Sequence, residues 1–148
     1  MKVLVVTGTP GTGKTFVAKK LAKQHNYSYI DVKQLIKNFK LSDKFDKKRQ
    51  SWIVDIKKLN KLLISVIGAA KLSKAKGVII DSHLAHYLPA KYVDLCIVTR
   101  CDTKKLYARL KKRKYSKAKI DENMEAEIMQ VILEEARKMK HNIKIINT

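Results

Sequence analysis

Two rhythms of apolar residues alternate along this chain. Residues 2–6 form a short β-branched run ending in a glycine-rich turn, which predicts a strand. Val17, Ala18, Leu21 and Ala22 then recur at helical spacing after Lys14. Residues 27–30 fit a second short strand. Residues 32–55 are polar and irregular, with weak helical signals around Leu35, Ile36 and Phe39. Leu59, Leu62, Leu63, Val66, Ile67 and Ala70 trace one face of a long helix, broken at Gly77. Val78, Ile79 and Ile80 make a fully buried strand that ends in Asp81, Pro89 closes a loop, and residues 93–98 read as another buried strand. Leu106 and Leu110 begin a helix through a very basic stretch. Met124, Ile128, Val131, Ile132 and Met139 predict one last long helix, and residues 143–146 a final strand. Five strands alternating with helices imply an α/β fold: a central five-stranded parallel sheet, flanked by helices in three layers. No internal repeat, Pro-rich linker or low-complexity tract interrupts it, so residues 1–148 read as one domain.

The first strand-to-helix turn carries the clearest chemistry. Gly8, Thr9, Pro10, Gly11, Thr12, Gly13, Lys14 and Thr15 satisfy G-x-x-x-x-G-K-S/T, the P-loop of nucleoside triphosphate-binding proteins. Glycines let the backbone curl so that successive N–H groups point at phosphate oxygens. Lys14 would reach the β- and γ-phosphates of ATP, the Thr15 hydroxyl would ligate Mg²⁺, and the following helix turns its positive end toward the same anion. The chain has only 5 glycines, and three of them are Gly8, Gly11 and Gly13, so their clustering here is not a matter of composition.

Asp81 ends an apolar strand, where P-loop proteins place a second acid that organises Mg²⁺ directly or through water. The competing reading is that it caps the next turn. His83 lies two residues on, at the sheet edge where open α/β folds bind ligands, and spacing alone does not separate a functional histidine from an ordinary loop one. Phosphoryl transfer also needs cations around the moving group, and the planar guanidinium suits phosphate. Arg100, Arg109 and Arg113 are the candidates, and a helix would put Arg109 and Arg113 on one face. Lys105, Lys111, Lys112 and Lys114 around them make a merely solvated basic face the alternative.

Charge changes the picture of partners. Lys and Arg number 33 against 13 Asp and Glu, a formal net charge of +20. Such a surface attracts polyanions, from nucleotides to RNA, although Lys enrichment also accompanies adaptation to heat. The basic residues are spread along the whole chain, and no aromatic-basic RNA-binding signature appears. No stretch approaches the roughly 20 apolar residues of a membrane helix, and the N-terminus is too short for a secretory signal. Cys96 and Cys101 lack metal-ligand spacing and read as reduced thiols of a cytoplasmic protein. Trp52, the only tryptophan, reads most simply as core packing.

Together these residues resemble the adenylate kinase isoenzyme 6 family of small nucleoside monophosphate (NMP) kinases and ATPases. The resemblance runs through nearly the whole chain: the loop GTPGTGKT, the D-x-H segment at Asp81 to His83, and the R-x-D-T segment at residues 100–103 followed by Leu106 and Tyr107. It continues through Arg113, Lys114 and Tyr115, then Lys119, Glu122, Asn123, Glu127 and Ile128, and Leu133, Glu134, Glu135 and Ala136. It implies reversible phosphoryl transfer between ATP and AMP or another NMP, with broad acceptor specificity and an added ATPase activity. It also implies a role in small ribosomal subunit maturation, through transient binding to a small-subunit ribosomal protein and the pre-rRNA particle. By the same resemblance, Gly11, Gly13, Lys14, Thr15, Phe16 and Arg113 contact ATP. Residues 32–55 form an NMP-binding segment, with Asp31 and Lys37 at the acceptor. Residues 112–122 form a lid, and Asp81 with His83 form a Walker-B-type pair, the acid at the Mg²⁺ and the histidine placing a water for hydrolysis. Lys37 stands where the family usually has an arginine, and Lys114 where a glycine is common. The chain also stops at Thr148, short of a terminal helix that longer members carry.

Two expectations of different class follow. One is a Mg-dependent NMP kinase with Lys14, Asp81, His83, Arg100, Arg109 and Arg113 at the reaction. The other is an ATP-switched ribosome-assembly ATPase with little kinase activity. A GTPase fits poorly, since Asn60, Lys61, Leu62 and Leu63 lack the acid of the guanine-reading N-K-x-D.

Overall fold

The computed structural model describes residues 1–47 and 51–148. Strands β1 (Lys2–Thr7), β2 (Ser28–Asp31), β5 (Gly77–Asp81), β6 (Leu95–Arg100) and β7 (Ile143–Asn147) form one sheet in the order β2-β5-β1-β6-β7. Every pairing in it is parallel. Parallel neighbours need long crossovers. Those crossovers carry helices α1 (Lys14–His25), α2 (Val32–Asn38), α3 (Ile56–Leu72), α4 (Thr103–Lys112), α5 (Lys117–Ile128) and α6 (Val131–Lys138).

The period of two along each strand sorts its side chains between two cores. Val3, Val5, Val78, Ile80, Cys96 and Val98 face Leu59 and Leu63 of α3 and Leu133 and Ala136 of α6. Their sequence neighbours Val6, Ile79 and Ile97 point the other way, onto Val17, Ala18 and Ala22 of α1. A sheet covered on both faces requires continuous apolar strands, and β5 is buried from end to end. A third, smaller cluster of Cys101, Leu106, Leu110 and Ile120, with Tyr115 and Met124 against it, holds α4 to α5.

From β1 the chain turns toward β2, and from β6 toward β7, so the connections diverge above the carboxyl ends of β1 and β6. Open α/β sheets bind ligands in such a crevice. The glycine loop sits there.

Several expectations shift. The single long C-terminal helix is two helices, α5 and α6, because Gln130 adopts a left-handed conformation (φ 57) between them. The reason is packing: α5 serves the small core with α4, while α6 must lay Leu133 and Ala136 on the sheet. One straight helix cannot face both. Strand β6 starts two residues later than the apolar run suggests. A tight turn at Ala90–Tyr92 precedes it, and Asp94 is spent on capping β1, its carboxylate accepting from Val3 N at 2.7 Å. Within residues 32–55, α2 is followed by an antiparallel hairpin of β3 (Ser42–Asp46) and β4 (Ser51–Val54), and residues 48–50 lie outside the described residues. Trp52 is not a core residue. It is 61% exposed on this hairpin, with its ring against Phe45.

Lys114, at the position where the resembling family favours glycine, has φ 57. It ends α4 by donating its N–H to Lys111 O at 3.0 Å, a left-handed helix stop built without glycine. An L residue pays a steric cost there that glycine does not, partly offset by glycine's greater freedom in the unfolded chain. Lys114→Gly is therefore expected to raise stability by about 0.5–1 kcal/mol in chemical denaturation, and an unchanged or lower value would contradict this account of the turn.

Candidate active site

The loop between β1 and α1 is shaped by three glycines with positive φ: Gly8 (149), Gly11 (95) and Gly13 (86). At Gly8 a side chain is excluded twice over, by φ and by contact. A Cβ there would lie 2.4 Å from Thr99 Oγ1 and 2.8 Å from the Thr99 carbonyl. Gly11 is pressed against α4, where a Cβ would meet Leu106 at 2.9 Å. Gly13 caps α1 in the left-handed conformation and offers no side chain to its first turn. The contrast with α2, α3, α4 and α5 is chemical. Those helices begin with Asp31, Asp55, Asp102 and Ser116, whose side chains accept from their first-turn N–H groups. The first-turn donors of α1 receive no such side-chain cap, which suits a phosphate.

Threonines hold the loop from behind. Thr12 is fully buried, and its hydroxyl donates to Thr9 O at 2.6 Å and lies 2.7 Å from Thr99 Oγ1. Thr99 in turn lies 3.2 Å from Thr7 O, to which its hydroxyl donates. Thr12, expected to touch nucleotide, thus turns its side chain into the protein.

Lys14 opens α1 and is half-buried, its ammonium reaching Thr9 O at 3.4 Å. Burial pushes its pKa down to about 8, with Asp81 acting in the opposite direction and Arg113 adding to the fall. Thr15, the next residue, donates from Oγ1 to Asp81 Oδ2 at 2.8 Å. The expected Mg²⁺ residues therefore meet at the carboxyl edge of β5, adjacent to the glycine loop. The sequence reading did not foresee Tyr29, whose hydroxyl donates to the same Asp81 Oδ2 at 2.7 Å. Burial and then the bond to Asp81 hold its phenol well above the usual tyrosine range. The signal was available in principle, because β2 pairs with β5 and residue 29 lies near residue 81, but only once the strand order was known.

His83 stands exposed beyond the end of β5. Part of its ring is nonetheless surrounded by protein, and that loss of solvation, followed by the charge of Lys14, pushes its imidazole below the ordinary value, so it is neutral at physiological pH. His86, three residues on, is deeply buried instead. Its Nδ1 lies 2.9 Å from Thr7 Oγ1 and its Nε2 3.3 Å from Glu135 Oε2, which also accepts from the Tyr87 hydroxyl. A carboxylate needs a donor, so Nε2 carries the proton and Nδ1 accepts from Thr7. This chain ties the last residue of β1 to α6.

The three arginines separate. Arg109 donates to Gly11 O at 3.2 Å and to Thr148 Oγ1 at 3.0 Å, beneath the loop. Arg113 is exposed at the end of α4, donating to the Tyr115 hydroxyl at 3.3 Å. Both line a cavity of about 810 Å³ together with Gly11, Gly13, Phe16, Lys20, Lys112 and Thr148. Arg100 is drawn elsewhere: its Nε donates to the buried Glu127 at 2.9 Å. Asp31 caps α2 through Gln34 N, and Lys37 is exposed in the last turn of α2, so neither touches the loop.

No group of three or more His, Cys, Asp or Glu side chains that could enclose a metal occurs among the described residues. The donor set fits Mg²⁺ nonetheless, since that ion is commonly held by one or two protein oxygens plus phosphate and water. No helix among the described residues is long and apolar enough to cross a membrane.

Comparison with known proteins agrees with this geometry. A family model described as AAA domain matches residues 4–130. The adenylate kinase isoenzyme 6 homolog of Schizosaccharomyces pombe is 41% identical over 134 residues, covering 90% of this chain and 73% of that one. Its counterpart from Dictyostelium discoideum is 39% identical with the same coverage. Among solved structures, an unliganded sugar kinase from Janibacter sp. superposes with a TM-score of 0.62 at 15% identity, over 99% of this chain and 85% of that one. That likeness speaks to the fold.

Lys14 sets a pH dependence. A triphosphate recruits the ammonium form, and the free protein loses that proton as pH rises through about 8. Nucleotide affinity should be nearly constant just above pH 7 and then fall, by up to about tenfold per pH unit, once pH exceeds the lysine pKa. Titration calorimetry with MgADP across that range checks it. A flat profile would take Lys14 off the phosphates.

Proposed function

The chain belongs to the adenylate kinase isoenzyme 6 family and is a nucleotide kinase of the P-loop class, and we propose that it moves the terminal phosphoryl group of ATP to AMP, and less selectively to other nucleoside monophosphates. The observation that carries the reading is the meeting of Thr15 and Asp81 at 2.8 Å beside an α1 N-terminus without a side-chain cap and a half-buried lysine whose ammonium reaches Thr9 O at 3.4 Å. The α1 N-terminus, Lys14 and Arg113 gather positive charge here that Asp81 and Glu127 offset only in part, which favours an anionic ligand able to bring more negative charge. The phosphates of ATP supply it.

In this reading the loop amides and Lys14 hold the β- and γ-phosphates, and the ribose and base extend into the cavity beside Phe16, Arg109 and Arg113. Thr15 and Asp81 hold Mg²⁺, which neutralises phosphate charge when bound. Tyr29 fixes the Asp81 carboxylate by a hydrogen bond to one oxygen, leaving the other for metal or metal-bound water. The acceptor enters over β2 and α2, where Asp31 and Lys37 stand. Lys37 gives its phosphate charge without the two-pronged grip of arginine, which favours loose acceptor selection. Residues 112–122 act as a lid, bringing Arg113 onto the transferring group. Positioning and electrostatics do most of the work, and no general base is required.

His83 supports a second activity. A neutral imidazole exposed past Asp81 is placed to orient water, so slow ATP hydrolysis accompanies transfer. The net charge of +20 supports a further setting for that hydrolysis, as a switch during small ribosomal subunit maturation with a ribosomal protein or pre-rRNA as transient partner. The free, buried thiols Cys96 and Cys101 are consistent with a cytoplasmic location.

Product analysis of MgATP incubated with and without AMP tests the main reading. AMP-dependent formation of about two ADP per ATP consumed is expected, and Lys14→Ala should abolish it while the fold persists. ADP and free phosphate in equal amounts regardless of AMP would make the protein an ATPase. For the ribosomal reading, affinity for small-subunit components is expected to differ between the ATP and ADP states, and equal affinities would remove it.

A further inference from the structure

Glu127, in the last turn of α5, is 3% exposed. Its carboxylate gathers donors from two segments, the glycine loop and residues 100–101 at the end of β6. Thr9 Oγ1 donates to Oε1 at 3.1 Å, while Arg100 Nε at 2.9 Å and Cys101 N at 3.0 Å donate to Oε2. Its backbone carbonyl accepts from Arg100 at 3.1 Å as well. Burying a carboxylate is costly unless each oxygen is met, and here each is. The arrangement does more than join α5 to β6, because Thr9 belongs to the phosphate loop.

Thr9 is the point on which the rest of that loop leans. Its carbonyl accepts from Thr12 N at 3.1 Å, from Thr12 Oγ1 at 2.6 Å and from the Lys14 ammonium at 3.4 Å. Fixing the Thr9 side chain therefore fixes the carbonyl that orients both the loop's backbone and its lysine. The anchor sits on a helix that belongs to the α4–α5 unit, with its own small core, and the left-handed Gln130 separates that helix from the sheet-bound α6.

We propose that Glu127 is a positioning residue through which α5 sets the conformation of the phosphate loop, and thereby its affinity for a bound nucleotide. Arg100 serves this link by neutralising and orienting the carboxylate from the side opposite Thr9. The proposal rests on the reading that residues 8–15 cradle the phosphates. It makes α5, whose first turns fall within residues 112–122, part of the loop's support, so a displacement of α4 and α5 is felt at Lys14.

The test reads MgADP binding by titration calorimetry beside the thermal midpoint. Thr9→Val keeps the shape of the side chain and removes only its hydroxyl, and should weaken MgADP about tenfold with little change in midpoint. Thr9→Ser, which keeps the donor, should stay within about twofold of the unmodified chain. Glu127→Gln should also weaken binding. Adding Thr9→Val to it should cost less than about twofold more, because both changes break one link. Wild-type affinity in Thr9→Val, loss in Thr9→Ser equal to that in Thr9→Val, or additive losses in the double variant would each overturn the proposal. Since binding is read, the acceptor assignment is judged separately: a chain that binds MgADP yet forms no ADP from AMP refutes that assignment alone.

Discussion

A loop that offers backbone N–H groups to phosphate can spend few of them on holding itself together, and here Thr12 N donates inward, to Thr9 O at 3.1 Å. That constraint organises much of what surrounds residues 8–15. The loop is supported instead through side chains and carbonyls on its rear surface: Thr12 on Thr9 and Thr99, Thr99 on Thr7, and Glu127 on Thr9. Arg109 grips the Gly11 carbonyl from below. These hydroxyl and guanidinium donors are spent on carbonyls and side chains of the protein, so the support of the loop draws little on its remaining backbone N–H groups. The glycines follow from the same demand, since the chain must curl with φ positive and pass within contact distance of Thr99 and Leu106.

The sheet makes this support possible. Residues 7, 81 and 99 end neighbouring parallel strands, which brings a threonine, an acid and a second threonine to one edge. Strand β1 is held on its far side by the Thr7, His86 and Glu135 chain, so the residue entering the loop is bonded to α6 as well. Burial lowers the proton affinity of His86 and Glu135 raises it, and burial dominates. The imidazole therefore stays neutral and can serve as acceptor and donor at once. A charged imidazole would lose its bond from Thr7.

The phosphate loop was readable from sequence because its residue types follow from local chemistry alone. The same holds for the inner strands β1, β5 and β6, whose apolar runs are continuous because both faces of a parallel sheet are covered, while the edge strands β2 and β7 show shorter, partly polar runs. What remained hidden depends on pairing. Arg100 sits in a motif beside Arg109 and Arg113, yet it faces Glu127, 27 residues away, and nothing in its local sequence says so. Tyr29 looked like a strand residue and reaches Asp81 only because β2 lies against β5. The break at Gln130 was invisible to helical periodicity, since the apolar positions of α5 and α6 continue one rhythm while serving two cores. The β3–β4 hairpin was missed because its strands are half-exposed and its aromatic pair, Phe45 and Trp52, packs on itself rather than on the sheet.

The two halves of the site differ in how far they are built. On the donor side, Lys14, Lys20, Arg109, Lys112 and Arg113 cluster around the loop and its cavity, and no Asp or Glu lines that cavity. Burial first, and the charge of Arg113 after it, disfavour the Lys14 ammonium while Asp81 opposes them, so holding that charge in place carries a cost. A polyphosphate relieves it, so binding energy on this side comes from charge already arranged before the ligand arrives. On the proposed acceptor side, Asp31 and Lys37 are exposed and the hairpin beyond them leaves Trp52 largely in solvent. There the cost of ordering falls at the moment of binding. Under the proposed assignment of the two sides, such an arrangement favours discrimination for the triphosphate over discrimination among acceptors, and a lysine at position 37 acts in the same direction.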